Sequence, residues 1–243
     1  MPTLILTSRY TEDSQALWTA AIGLGWRVER LDNWRLPPHL AAVADPVLYL
    51  EALFGPSVAE QMGVRLVDPP EYWLVRLPYE YRKRQISLST LENARLLADA
   101  AFVKPPNDKS FPAQVYVGSA LPSEYPDDMR VLISEIVHWE KEFRCFVLDR
   151  ELVTFSVYSR HGELQRDQDY ASTAGENDEV ETFLYELLGD ARVDLPKATV
   201  VDVGLIEGRG WACIEQNGAW GAGIYGCDPV RVLEVVRHAT LTV

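Results

Sequence analysis

Only three of the 243 residues are cysteines, Cys145, Cys213 and Cys227, and no two of them form a CxxC pair. So sparse and odd a set excludes a disulfide-built scaffold and fits a reducing, cytoplasmic compartment. Histidine is equally scarce. His39, His138, His161 and His238 lie far apart, and with no HExxH or GxSxG sequence, zinc-hydrolase and nucleophile-elbow chemistry have no support. Both standard phosphate loops are missing: Lys109-Ser110 has no upstream glycine to make a Walker A loop, and Gly23-Leu24-Gly25 lacks the third glycine of a dinucleotide fingerprint. Nowhere do 18 apolar residues run together, and Met1 to Leu6 has no basic leader, so neither a membrane span nor a signal peptide is expected. Bases are in deficit as well, 23 Lys and Arg against 36 Asp and Glu, and the net charge of −13 argues against an extended nucleic-acid surface.

What remains is an ordinary globular composition, 47% hydrophobic and 24% charged, enough for one two-lobed unit or two small domains. The charge is uneven. His161 to Leu195 carries ten acids against Arg166 and Arg192, whereas Arg76 to Lys109 carries seven bases against four acids and leaves room for a small anionic ligand. Leu4–Thr7, Glu12–Leu24 and Trp26–Leu31 read as strand, helix and strand, a βαβ-like opening; Pro37-Pro38 and Pro46 punctuate the next stretch. Pro56 starts a short helix through Met62, and Val64–Val67 reads as one more parallel strand. Ser89 with Glu92 offers a capping box for a helix ending near Asp99. Strands are expected at 101–104, 114–117, 130–137, 142–148, 151–158, 198–206 and 210–216, with helices at 178–188 and 229–239, the last capped by Asp228. The second half is thus rich in antiparallel hairpins.

The most informative stretch runs from Ala198 to Asn217, two β-rich segments around a glycine-containing turn. A turn centred between Gly208 and Arg209 sets Asp202 directly opposite Glu215, and the two-residue period puts Asn217 on the same face. Two carboxylates about 5 Å apart repel unless a cation or a shared proton relieves them. An oxygen-ligated Mg²⁺ suits that donor set, while an ordinary solvated hairpin face is the plainer alternative.

Basic residues sit on neighbouring strands. Lys104, between Val103 and Pro105, is mostly buried and needs an anionic partner, either a phosphate or a protein carboxylate. Glu142 and Arg144 share one face of a strand whose other face is Phe143, Cys145 and Val147. They form either an outward ion-pair ladder or contacts to a ribose hydroxyl and a terminal phosphate. Arg160 comes just after the next strand, with a parity that differs from that of the residues opposite Arg144. Trp73, Tyr79 and Tyr81 beside Arg82 and Arg84 suit an acidic substrate or a lobe interface.

On these residues the chain resembles the ATP-grasp superfamily, most closely the clade named for two arginines and one lysine. Phe102-Val103-Lys104-Pro105 is similar to the strand-end lysine that binds phosphates, and Lys109-Ser110 to the flap above them. Ser134-Glu135-Ile136-Val137-His138 looks like the hinge whose backbone reads adenine, Glu142 like the ribose-binding acid, and Asp202 with Glu215 and Asn217 like the magnesium triad. The resemblance implies an α+β fold, with a small N-terminal α/β lobe at residues 1–75 and an ATP-grasp domain at residues 76–243. It also implies ATP and Mg²⁺ as cofactors, no membrane, and catalytic roles for Arg144, Arg160 and Lys109. The activity implied is an ATP-dependent ligase joining a small-molecule or peptide carboxylate to an amine through an acyl phosphate. A phosphotransferase, a non-catalytic nucleotide-binding module and a carboxylate-bridged hydrolase are the alternatives.

Overall fold

A computed structural model describes residues 1–107 and 109–242. The chain opens with β1 (Thr3–Leu6), α1 (Glu12–Gly23), β2 (Arg27–Arg30) and β3 (Pro46–Tyr49), whose strands form a parallel sheet ordered β2-β1-β3. The central strand β1 is buried along its whole length. Thr11 caps α1 reciprocally with Ser14, each hydroxyl accepting from the other's backbone N–H at 3.0 Å. Pro46 is not a break in the chain but the start of β3; as the first residue of an edge strand a proline forfeits no ladder hydrogen bond. Next come α2 (Gly55–Gln61) and β4 (Val64–Leu66).

The middle segment holds α3 (Trp73–Arg76), α4 (Tyr79–Arg82), β5 (Ile86–Thr90), α5 (Leu91–Arg95), β6 (Ala101–Lys104), β7 (Gln114–Tyr116) and β8 (Arg130–Ser134). Its strands make an antiparallel sheet ordered β5-β8-β6-β7. Here the helix cap is Thr90, not Ser89, which still lies in β5 and pairs with Val131 of β8; the helix ends at Arg95, short of Asp99. Trp73 and Tyr81 are buried in a core with α6, and the Tyr81 hydroxyl donates to Asp190, so that aromatic group serves a lobe interface.

The last segment contains β9 (Trp139–Leu148), β10 (Glu151–Arg160), β11 (Glu163–Leu164), α6 (Ala174–Gly189), β12 (Ala198–Ile206), β13 (Gly210–Asn217), α7 (Pro229–Val236) and β14 (Thr240–Thr242). Its antiparallel sheet runs β11-β10-β9-β12-β13. Four acids of the acidic run, Asp178, Glu179, Glu181 and Glu186, form the solvent face of α6, whose Val180, Leu184 and Leu187 pack on Phe143, Cys145 and Val203. On the opposite face of the sheet, Phe146 and Val200 join the core of the first lobe.

One expectation is corrected by the C-terminal stretch: the strand β4 lies outside the parallel sheet and pairs antiparallel with β14. Nearby, Ala219, Trp220, Val232, Leu233 and Val236 pack with Leu4, Leu17 and Leu48 in one core. A short apolar strand carries no label for its partner, and here the partner lies at the far end of the chain. No helix among the described residues is long and apolar enough to cross a membrane.

Candidate functional site

The site is built by the register of β9, β12 and β13. Asp202 pairs with Glu215 on one side, as the hairpin spacing predicts, and with Arg144 on the other, a register between β9 and β12 that the spacing does not address. The turn itself departs from that expectation. Ile206 pairs with Gly210, so the turn is centred on Gly208, half a residue early, and both Gly208 and Gly210 adopt positive φ. A bulge at Ile214, between the Val203–Cys213 and Asp202–Glu215 pairs, restores the register. It also decides the chemistry. Trp211 and Cys213 face α6, and an uninterrupted strand would carry Glu215 and Asn217 there with them; the extra residue turns both onto the face of Asp202.

On that face the carboxylates are bound by protein donors. Arg144 grips Asp202 bidentately, Nε to Oδ1 at 2.9 Å and Nη2 to Oδ2 at 2.6 Å, and its Nη1 donates to the Gly223 carbonyl at 3.0 Å. The Asn217 amide donates to Asp202 Oδ2 at 3.3 Å and to Glu215 Oε1 at 3.0 Å. Lys104 reaches across from β6 to pair with Glu215, one of the two partner types its sequence context allows. Burial pushes Asp202 up to about 6 against the pull of Arg144. Burial also raises Glu215, but Lys104 and Asn217 outweigh it and hold the carboxyl at about 2.

A cavity of about 450 Å³ opens between the four-stranded and five-stranded sheets, bordered by Phe102 and Lys104 on one side and by Glu142, Ile214 and Glu215 on the other. Glu142 is fixed by the hydroxyls of Tyr158, at 2.9 Å, and Ser159, at 2.8 Å. The segment joining the two sheets, residues 135–138, lies at the cavity edge. There Glu135 is turned to Arg209, which holds its carboxyl at about 2, and the His138 carbonyl accepts from Glu207 N. Among the described residues, the backbone N–H and C=O groups of Ile136 and Val137 have no hydrogen-bond partner, and both residues line the cavity.

Two expected residues are not brought here. The parity expected for Arg160 is corrected: a bulge at Val153 sets Ser156 opposite Arg144, which gives Arg160 the matching parity, and a second bulge at Tyr158 then turns it to the other face. There it pairs with Lys141 in register and binds Glu176 of α6 at 2.5 and 2.9 Å. Lys109 is exposed in the loop after β6 and does not line the cavity.

Two further features belong to the surroundings, Arg84, which the sequence places beside the aromatic group Trp73, Tyr79 and Tyr81 and not in the ligand set, and the segment 218–226. Arg84, hidden in the basic run Arg82-Lys83-Arg84, is 5% exposed, lines the cavity, and is lowered to about 10 by burial. The segment 218–226 packs beside Arg144, and its Gly223–Ile224 peptide is held from both ends, the carbonyl by Arg144 and the N–H by Asp13 Oδ2 at 3.0 Å. Four glycines in nine residues, Gly218, Gly221, Gly223 and Gly226, were the legible signal for that loop.

The donor set fits Mg²⁺: two carboxylates and an amide, all hard oxygen ligands once the Asn217 amide presents its oxygen, on adjacent strands that already attract two cationic side chains. No group of three His, Cys, Asp or Glu side chains placed to hold a metal occurs among the described residues, so the amide is an essential member of the set.

Comparison with known proteins identifies the family and the fold. Residues 81–235 match the model of an ATP-grasp domain, family 2 of the clade named for two arginines and one lysine. Among solved structures the chain is similar to D-cycloserine synthetase DcsG (13% identity, 98% of this chain and 99% of that one, TM-score 0.60). It is also similar to a RimK domain protein ATP-grasp from Sphaerobacter thermophilus (14%, 98% and 98%, 0.56) and to D-alanine–D-alanine ligase from Bacillus anthracis (10%, 97% and 97%, 0.55). No curated protein matches the chain significantly in sequence.

Proposed function

The chain belongs to the ATP-grasp domains, in family 2 of the two-arginine, one-lysine clade, and on that premise we propose that it is an ATP- and Mg²⁺-dependent ligase that joins a carboxylate to an amine. The observation that carries this is the convergence of Lys104, Glu142 and Glu215 on one cavity whose edge offers the unpaired peptides of Ile136 and Val137, with Asn217, Asp202 and Arg144 joined to Glu215 behind them by hydrogen bonds and strand register. The Ile136 and Val137 peptides hydrogen-bond the adenine edge, and Glu142, oriented by Tyr158 and Ser159, accepts from ribose hydroxyls. Lys104 and Arg144 exchange their carboxylate partners for phosphate oxygens, neutralising charge where it develops.

Asp202, Glu215 and Asn217 hold Mg²⁺, which when bound screens the phosphate charge. Arg144, anchored to the Gly223 carbonyl, stands between the triad and the 218–226 segment and orients the transferred phosphoryl group. A substrate carboxylate attacks the γ-phosphorus, the bond to the ADP oxygen breaks, and an amine then displaces phosphate from the acyl phosphate to give an amide. No protein nucleophile is required.

Thermal unfolding tests the nucleotide site directly. Mg·ATP at about 100 times its dissociation constant stabilises the native chain by roughly 2.7 kcal/mol, a shift that Glu215→Ala abolishes. Release of ADP only when carboxylate and amine are both supplied identifies the ligase, whereas a stable phosphorylated product with no amine would replace that assignment by a phosphotransferase.

A further inference from the structure

We propose that Arg84 is a positioning residue for the metal ligands: by holding the carbonyls of Cys213 and Ile214 it fixes the β13 bulge that turns Glu215 and Asn217 toward Asp202. The inference rests on the proposed Mg·nucleotide site and names a residue that this site requires without ligating the metal.

The strand β13 is at the edge of its sheet, with β12 on one side only. In a regular strand successive carbonyls point to opposite edges, so a single side chain does not reach two in a row. At Ile214 it does. Arg84 Nη1 donates to the Cys213 carbonyl at 2.7 Å and Nη2 to the Ile214 carbonyl at 3.2 Å, one planar fork spanning both sides of the bulge. The guanidinium thereby takes the place of a neighbouring strand where the edge would otherwise be free to straighten.

Its own position is fixed as well. Nη1 also donates to the Arg82 carbonyl at 3.1 Å, the guanidinium lies 5.0 Å from the Trp139 ring, and Lys83, at φ 45°, turns the chain from α4 toward β5. No carboxylate lies within ion-pair distance of Arg84 among the described residues. A buried cation without a counter-ion is costly, and here backbone dipoles at the bulge serve in place of an anion. Straightening β13 returns Glu215 and Asn217 to the α6 side, where Cys213 and Trp211 already fill the core.

Because Arg84 also lines the cavity, direct contact with the nucleotide is the competing role, and the metal dependence of binding separates the two. Calorimetric titration with ADP, with and without Mg²⁺, is compared for the native chain, Arg84→Lys, Arg84→Gln, Glu215→Gln and the Arg84→Lys/Glu215→Gln double variant. Far-UV circular dichroism and thermal midpoints verify folding, and the lysine variant keeps the charge if the glutamine variant does not fold.

The expected result is that Arg84→Lys loses about 10- to 100-fold of the Mg²⁺-dependent gain in ADP affinity, as when a group orienting a metal ligand is removed, while metal-free ADP binds within about threefold of native. In the Glu215→Gln background the same change has no further effect on that gain. An equal loss with and without Mg²⁺, an unchanged gain, or additive losses in the double variant would each overturn the proposal. Absence of any nucleotide binding by the native chain would refute the proposed function and this inference together, a result distinct from the other three.

Discussion

Replacing Lys104 by methionine has opposite effects on metal and nucleotide, and the structure sets the size of each. Every carboxylate oxygen at the site already has a donor: Arg144 Nε on Asp202 Oδ1, Arg144 Nη2 and Asn217 on Oδ2, Asn217 on Glu215 Oε1, and Lys104 on Oε2. A cation arriving alone must displace these donors, whereas a phosphate gives Lys104 and Arg144 somewhere to go, so under the proposed function metal and nucleotide are expected to bind with positive coupling.

The Lys104 and Glu215 side chains are 15% and 29% exposed, between the surface and buried regimes, and the pair contributes about 1–2 kcal/mol. Freeing Glu215 in Lys104→Met therefore tightens Mn²⁺ binding to the nucleotide-free protein by about 5- to 30-fold. The lost lysine–phosphate hydrogen bond, worth about 1.5–3 kcal/mol, is partly offset because the ion pair no longer has to break, so Mg·ADP weakens by only about 2- to 10-fold. Titration of free Mn²⁺ by electron paramagnetic resonance, beside calorimetry with Mg·ADP, reads both. Mn²⁺ affinity in the nucleotide-free variant equal to or below the native value refutes the reasoning.

Under the proposed function Glu142, held by Tyr158 and Ser159, contacts the ribose, so the native chain is expected to prefer ATP to 2′-deoxy-ATP and Glu142→Gln to remove most of that preference, measured as the ratio of the two dissociation constants. On the other face of the sheet, Arg160, and to a smaller extent the Thr173 cap, hold Glu176 at about 2, below its ordinary 4.5. Because the folded value is the depressed one, the stabilisation is complete above about pH 4.5 and is lost as pH falls toward 2. After allowance for screening it amounts to about 1–2 kcal/mol, and Glu176→Gln should lower the urea midpoint at pH 7 but not near pH 2. A difference between native and variant that persists at pH 2 would count against that assignment.

The pairing of Asp202 with Glu215 was legible because a hairpin is a local object, in which turn glycines and a two-residue alternation specify partners within twenty positions. The same locality made β1, α1, β2, β12 and the Asp228 cap readable, and it placed Glu142 and Arg144 together on one face of β9. Even so, the turn was misplaced by half a residue, and agreement at Asp202 depended on a compensating bulge.

What the amino-acid order determined by itself was therefore the inventory: which residue types were present, which shared a strand, and which chemistry the missing motifs excluded. Tertiary structure alone decided the rest. Bulges at Ile214 and Tyr158 chose the faces of Glu215, Asn217 and Arg160, the pairing of β4 with β14 closed the chain on itself, and the lone guanidinium of Arg84 came to rest against the edge of β13. The physical reason is common to all of these. A bulge shifts side-chain parity by one without any change in composition, and it persists only where distant side chains satisfy the backbone groups it frees, information held in three dimensions and not in any short window of sequence.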